Sequence, residues 1–553
     1  MQEAIIEIEQ SKLDIPTLKI NNYYIHSKYN PLKEAEQFAV KNYNEGNLHV
    51  ILGNGLGYYS EAFYKIIANK ESIIVYEPFG NLPDSAFDFV YSDLNLFKEA
   101  LKAKVYQFKE LNVISIPNYL KFFQEIHKEI LQYSKDQIII KQIFENTINR
   151  YSQEWQENYL HNLTYTIDDY QIQRLEKSYD SPVIVASAGP SLAKQIPLLK
   201  QYRERIILVA AGSSITALMK YDLEPDFVVT MDGGLPNSVH FNSVKLQKAN
   251  LVYSLVTHYN VRKNITASKC YHYLSTDCYD MEGHYSSILK QTPLKLEGSG
   301  SVATYALSFA RFISSGPIAL VGQDLAYTND RSHDANNLHS SGISKEYIEQ
   351  NGLFITTDVN GLDVYTDYAF LAMKESFESL VQQLDNRETI FNCTEGGLSI
   401  KNIKNNFLQQ FLLEFATTSV EHKVDEEKNV TITNLDLLNQ LKNELNNLEL
   451  GIQLVKENLK LLQSTQSSRV FKASILNKME KNENELLVLT ERLSISIAMK
   501  KTLIKFMQAE TMAYSDTEYM KYKKVYEKNK MLYTELLDIL ESTKVILESI
   551  INN

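Results

Sequence analysis

Three features of this 553-residue chain predict an α/β protein that ends in an all-α segment. Short apolar runs break repeatedly into turns rich in Gly, Ser and Asp, as parallel strands do when they deliver loops to one sheet edge. A Gly-x-Gly-x-Gly turn lies between a strand pattern and a helix pattern near the N-terminus. Beyond Val424 there is no Pro, beyond Gly451 no Gly, and leucines recur at helical steps. A chain this long needs several cores. The expected organisation is an N-terminal α/β domain with a helical linker over residues 1–170, a central doubly wound domain over 171–420 and a C-terminal helical domain over 421–553.

The N-terminal pattern runs from a strand at His49 to Gly53, through the turn Gly53-Asn54-Gly55-Leu56-Gly57, to a helix ending near Asn69. A second strand at Ile73 to Tyr76 closes on Glu77-Pro78, which completes a Rossmann-like βαβ unit. Glycines there admit a phosphate or methionine moiety and a carboxylate accepts ribose hydroxyls, so the turn resembles the cofactor loop of class I methyltransferases. The competing reading is a tight turn that serves folding. From Pro117 to about Lys177 the pattern is helical.

In the central region Val183, Ile184 and Val185 break into Ser187-Ala188-Gly189-Pro190-Ser191, and a helix pattern resumes with Pro190 suited to its first turn. Further strand patterns end in polar loops: Ile206 to Ala211 in Gly212-Ser213-Ser214, Phe227 to Thr230 in Met231-Asp232-Gly233-Gly234, and Ile318 to Val321 in Gly322-Gln323-Asp324. Glu297-Gly298-Ser299-Gly300-Ser301 opens a helix carried by Tyr305 to Ile313, with Thr304 in its first turn. Backbone N–H groups and hydroxyls at such helix starts hold anions, and a doubly wound sheet brings these loops together at its carboxyl edge. Asp232 has the chemistry for ribose hydroxyls or a metal, although a metal normally takes several oxygen ligands and no Asp-x-Asp is present. The polar tract Ala326 to Ser344 reads as a mobile loop or lid, and places His333 and His339 as candidate bases or as solvated surface histidines. In the C-terminal region, leucines at 435, 438, 441, 445, 448 and 454, then from Leu486 to Leu493 and from Leu532 to Leu547, predict three long amphipathic helices in a bundle.

Composition narrows the function classes. A net charge of −12 and an absence of clustered Lys and Arg argue against nucleic acid as the main ligand. Cys270, Cys278 and Cys393 have no metal-like spacing and fit a reducing, cytoplasmic setting. The acidic N-terminus does not read as a signal peptide, and no apolar run reaches the length of a membrane span.

The segments SAGPSL, TMDGG, EGSGSVATYALSFARF and VGQDLAYT, in this order and spacing, resemble the motility accessory factor (Maf) family of flagellin glycosyltransferases over the whole chain. The resemblance implies transfer of a nonulosonic acid of the pseudaminic or legionaminic type from a CMP-activated donor to Ser or Thr of flagellin, in the cytoplasm before export. It requires no cofactor and no metal, and it allows a homo-oligomer. The central domain is also similar to one family of bacterial sialyltransferases. That similarity puts Ser187 to Ser191 and Gly298 to Thr304 around the cytidine monophosphate, with Gly212, Ser213, Gly233 and Gln323 beside them and Tyr327 near the phosphate. Asp232 or Asp324 then meets sugar hydroxyls. His333 or His339 is the natural base, with Asp324 and Glu297 as alternatives, because no clear counterpart of the sialyltransferase histidine is present. The central domain further resembles archaeal hydroxymethylpterin diphosphokinases, which use ATP and Mg²⁺, and a non-catalytic flagellin chaperone is a third reading.

Overall fold

The computed structural model describes residues 5–67, 69–79, 82, 87–242, 244–338, 340–421, 428, 432–490, 492–509 and 516–552. The chain packs into two compact units, one of residues 1–145, 464–471 and 503–532, the other of residues 146–463, 472–502 and 533–553.

The first unit contains a four-stranded parallel sheet in the order Val90–Tyr91, Ile73–Tyr76, Leu48–Leu52, Leu111–Ser115. Every residue of Leu48–Leu52 and Ile73–Tyr76 is buried, which is why both read as continuous apolar runs. The order reverses beside Leu48–Leu52, the arrangement of a Rossmann half, and the Gly53 to Gly57 turn leaves from that strand's carboxyl end. A three-stranded antiparallel sheet of Ile6–Gln10, Pro16–Ile20 and Tyr23–Tyr24 precedes it.

The second unit is built on a nine-stranded parallel sheet. Its order is Lys295–Leu296, Cys270–Ser275, Asn250–Ser254, Phe227–Thr230, Ile207–Ala211, Val183–Ala186, Ile318–Val321, Ile390–Asn392, Lys404–Asn405. The chain steps outward from Val183 to Leu296, then returns to the opposite side of its first strand at Ile318, so the switch point lies between Val183–Ala186 and Ile318–Val321. Helix Val302–Ile313 is buried along nearly its whole length, and its Tyr305, Leu307 and Phe309 belong to the core formed with the strands. The helical stretch after Pro117 is a single helix, Gln124–Tyr165.

Among its described residues the C-terminal region forms four helices, Asn434–Ser464, Ala473–Thr490, Ser496–Gln508 and Glu518–Asn552, where three were expected. Its residues are shared between the two units. In the second unit buried polar bonds tie these helices to the central domain. The Glu444 carboxylate, 2% exposed, accepts from Ser494 N (2.8 Å) and Oγ (2.6 Å), and its other oxygen lies 2.8 Å from His284 Nε2. His284 Nδ1 lies 3.0 Å from the Tyr159 hydroxyl, and Gln156 Oε1 accepts from Ala498 N at 3.1 Å. Groups this buried must find partners within the protein, which fixes how the helices meet the sheet domain.

Candidate functional site

The switch point, expected to hold the donor, is occupied by its own side chains. Ser187 Oγ donates to Gln323 Oε1 (2.5 Å), Ser191 Oγ donates to Asp324 Oδ2 (2.7 Å), and Gly189 N–H donates to the Gly322 carbonyl (2.8 Å). A Cβ at Gly189 would collide with the Asp324 carboxylate and the Gly322 carbonyl, so the two turns meet too closely for any side chain. Asp324 is 2% exposed, and burial raises its pKa against the opposing Ser191 bond. Through Oδ2 it clasps the two loops together. Tyr327 is buried, and its hydroxyl donates to Asp367 Oδ2 at 2.7 Å.

The tract from Ala326 to Ser344 is anchored across this edge. Asp334 N–H donates to the Ala188 carbonyl (2.8 Å), Asn337 Nδ2 to the Ser213 carbonyl (3.0 Å), and Lys220 Nζ to the Asn336 carbonyl (2.8 Å). These bonds leave Pro190 only half-buried and close Ser187, Ala188 and Ser191 over. His339 lies outside the described residues.

An open cavity of about 340 Å³ lies at the carboxyl ends of Ile207–Ala211 and Phe227–Thr230, with Ser213, Asp232 and Gly233 on one side and Tyr151 and Trp155 on another. The two aromatic rings are stacked, 6.2 Å apart and 17° from parallel. Helix Gln124–Tyr165 is bolted to the sheet edge by Asn158 Nδ2, which donates to the Gly233 carbonyl (2.8 Å), and by Asn162 Nδ2, which donates to the Leu255 carbonyl (2.9 Å). Those bonds set Trp155 against Gly233, where a Cβ would strike the indole. His333 reaches the same cavity, with Nδ1 3.1 Å from Ser332 Oγ.

Asp232 opens into the cavity while walled by protein. That enclosure, followed by the charge of nearby Asp277, raises its pKa to about 6. Its backbone carbonyl accepts from His258 N (3.1 Å) and Asn237 Nδ2 (2.8 Å), which holds the loop. Burial raises Asp277 also, opposed by Lys500 and by the Tyr305 hydroxyl, which donates to Asp277 Oδ2 at 3.4 Å.

The glycine and hydroxyl segment adjoins this edge, since a Cβ at Gly212 would stand 3.4 Å from Val302 at the start of helix Val302–Ile313. Ser301 caps that helix, its side chain accepting from Ala303 N at 3.2 Å. Ser299 and Gly300 are exposed, whereas Thr304 is buried and braces the turn by donating to the Ser301 carbonyl (2.7 Å). Gly298 is packed beneath the Tyr305 ring, and Glu297 is exposed beside Tyr279. Ser213, Asp232, Gly233 and His333 line the cavity, Gly212 links it to the start of the helix that follows the Ser299 to Ser301 turn, and Asp324 and Tyr327 are not among its described lining residues.

Tyr151, Trp155 and Asp277 escaped the sequence reading. Asp277 stands two residues beyond the strand Cys270–Ser275, the offset of Asp232 from Phe227–Thr230, so a signal existed. The aromatic pair had none, because only the docking of a long helix brings it to the sheet edge.

In the first unit the Gly53 to Gly57 loop is filled from within. Glu77 Oε2 accepts from Asn54 N (2.7 Å), Gly55 N (2.9 Å) and the Tyr119 hydroxyl (2.7 Å), and Oε1 accepts from Phe79 N (2.8 Å). The carboxylate that would meet a ribose is 5% exposed and neutralises the N–H groups that would meet an anion. The folding role of this turn is the one the geometry supports.

Among the described residues no three His, Cys, Asp or Glu side chains come together as a metal-ligand set, and no helix is long and apolar enough to cross a membrane. The family model for 6-hydroxymethylpterin diphosphokinase MptE-like proteins matches residues 157–330, which hold most of the parallel sheet and the whole cavity loop region from Ser213 to Gly234. No curated protein matches the chain. The fold is similar to the solved structure of a Maf glycosyltransferase from Magnetospirillum magneticum AMB-1, with a TM-score of 0.53 and 13% identity, over 99% of this chain and 92% of that one. The resemblance read from the sequence motifs therefore extends to the fold of nearly the whole chain.

Proposed function

We propose that the protein is a glycosyltransferase that moves a nonulosonic acid, of the pseudaminic or legionaminic type, from a CMP-activated donor to Ser or Thr hydroxyls of flagellin in the cytoplasm. The observation that carries this reading is the open, aromatic-walled, carboxylate-bearing cavity at the carboxyl edge of the central sheet, in a chain that shares the Maf fold over nearly its whole length. An aromatic wall beside one carboxylate suits a sugar ring, which offers an apolar face and a rim of hydroxyls. The Ser299 to Ser301 turn, at the N-terminus of a helix of twelve residues, supplies hydroxyls and a positive dipole end for a monophosphate leaving group.

The family-model match favours a second reading, a Mg²⁺-dependent enzyme that acts on ATP. Asp232 and Asp277 fit it to the extent that Mg²⁺ is commonly shared between one or two carboxylates and nucleotide phosphates. Titration of the full chain with CMP and with ATP, each with and without Mg²⁺, separates the two. CMP binding without Mg²⁺, followed by a mass increase of flagellin by one nonulosonic acid on incubation with the CMP-activated donor, is the expected result. Binding of ATP only with Mg²⁺, and no change in flagellin mass, would support the second.

A further inference from the structure

Sugar transfer to a hydroxyl needs a group that takes the hydroxyl proton, and the structure narrows the choice. Asp324 is clasped to Ser191 at 2% exposure, and Glu297 stands outside the lining of the cavity. Asp232 opens into the cavity on a loop held by His258 N–H and the Asn237 amide, and no Lys or Arg is among the described lining residues to pair with it.

We propose that Asp232 is the catalytic base of the transfer. This rests on the glycosyltransferase reading above. The acceptor oxygen forms a bond to the anomeric carbon while the bond from that carbon to the phosphate oxygen of CMP breaks. The electron pair leaves with CMP, and the acceptor proton passes to the Asp232 carboxylate and from there to water. A carboxylate that opens into the cavity can take the acceptor proton directly. His240 from helix Leu235–Asn242, His333 from the anchored tract and Tyr151 from the long helix line the same cavity.

The test compares the full-length protein with its Asp232→Asn and Asp232→Glu variants. The readouts are CMP affinity and the kcat of transfer from the CMP-activated nonulosonic acid to flagellin. Asp232→Asn is expected to keep CMP affinity and to lose on the order of 100-fold or more in kcat. Asp232→Glu should recover part of that loss. Transfer by Asp232→Asn at the unaltered rate, or equal loss in Asp232→Glu, would overturn the base assignment while the glycosyltransferase reading stands. An unaltered protein that neither binds CMP nor transfers sugar removes the functional reading itself.

Discussion

At the scale of single residues, two glycine turns that look alike in sequence have different uses. Gly233 is small because Trp155 lies on it, and that contact shapes one wall of the cavity. Gly233→Ala should therefore force the indole aside, lower stability by about 1–3 kcal/mol and weaken CMP binding, as read by thermal unfolding and titration. The Gly55 turn instead closes around the Glu77 carboxylate. Glu77→Ala would leave the Asn54 N–H group and the Tyr119 hydroxyl without their acceptor, and Gly55 N–H with the Tyr119 oxygen, at a cost of about 1–3 kcal/mol for each group left unpaired and buried. We expect a lower unfolding midpoint with CMP affinity unchanged, and no heat on titration of the unaltered protein with S-adenosylmethionine. A clear binding isotherm would instead revive the methyltransferase-like reading of this loop.

Among the elements, helix Asn434–Ser464 carries the most testable electrostatics. Burial alone would raise the pKa of Glu444, but the charge and hydrogen bond of His284 and the bonds from Ser494 outweigh it and hold the carboxyl below 4.5. A carboxyl with a lowered pKa in the folded state adds stability at pH values above its unfolded pKa, and this contribution disappears as the pH falls through the folded value. The unfolding midpoint should then drop as the pH falls below 4.5, and drop less steeply in Glu444→Gln, which has no proton to take up there. At neutral pH the same variant should be the less stable of the two, because removing one partner strands the buried ones. Equal pH slopes for the two proteins would mean that Glu444 is not linked to folding.

For the molecule as a whole, the C-terminal helices are part of the packing. Deleting residues 421–553 would strip the acceptor from His284, the amine from Asp277 and a partner from Gln156. The truncated chain should lose cooperative unfolding and expose apolar surface to a dye such as ANS. A truncated chain that unfolds in one sharp transition would restore the idea of an independent C-terminal domain.

The strands Val183–Ala186, Ile207–Ala211, Phe227–Thr230 and Ile318–Val321 were legible because every residue of each is buried and polar turn residues follow. Phe227 to Thr230 and Ile318 to Val321 begin and end where the apolar runs do. The Val302–Ile313 helix was legible from its hydroxyl-rich start, which is the Ser301 cap. Local residue pattern thus determined the α/β class, the positions of the loops at the sheet edge and the helical C-terminal region. It left open which loops face a cavity and which face one another. Asp232 and Asp324 occupy similar places in their runs, a carboxylate just past a parallel strand, yet one opens into solvent at a pKa of about 6 and the other is 2% exposed. The difference comes from what packs above each strand. Residues 394–397 and the anchored tract cover the switch point, with Leu398 N–H donating to the Asp324 carbonyl at 2.8 Å, while beside Asp232 a distant helix delivers two aromatic rings that form a wall without closing it. Sequence spacing specifies where a side chain leaves the sheet; only the tertiary contacts of segments far along the chain decide whether it meets protein or ligand.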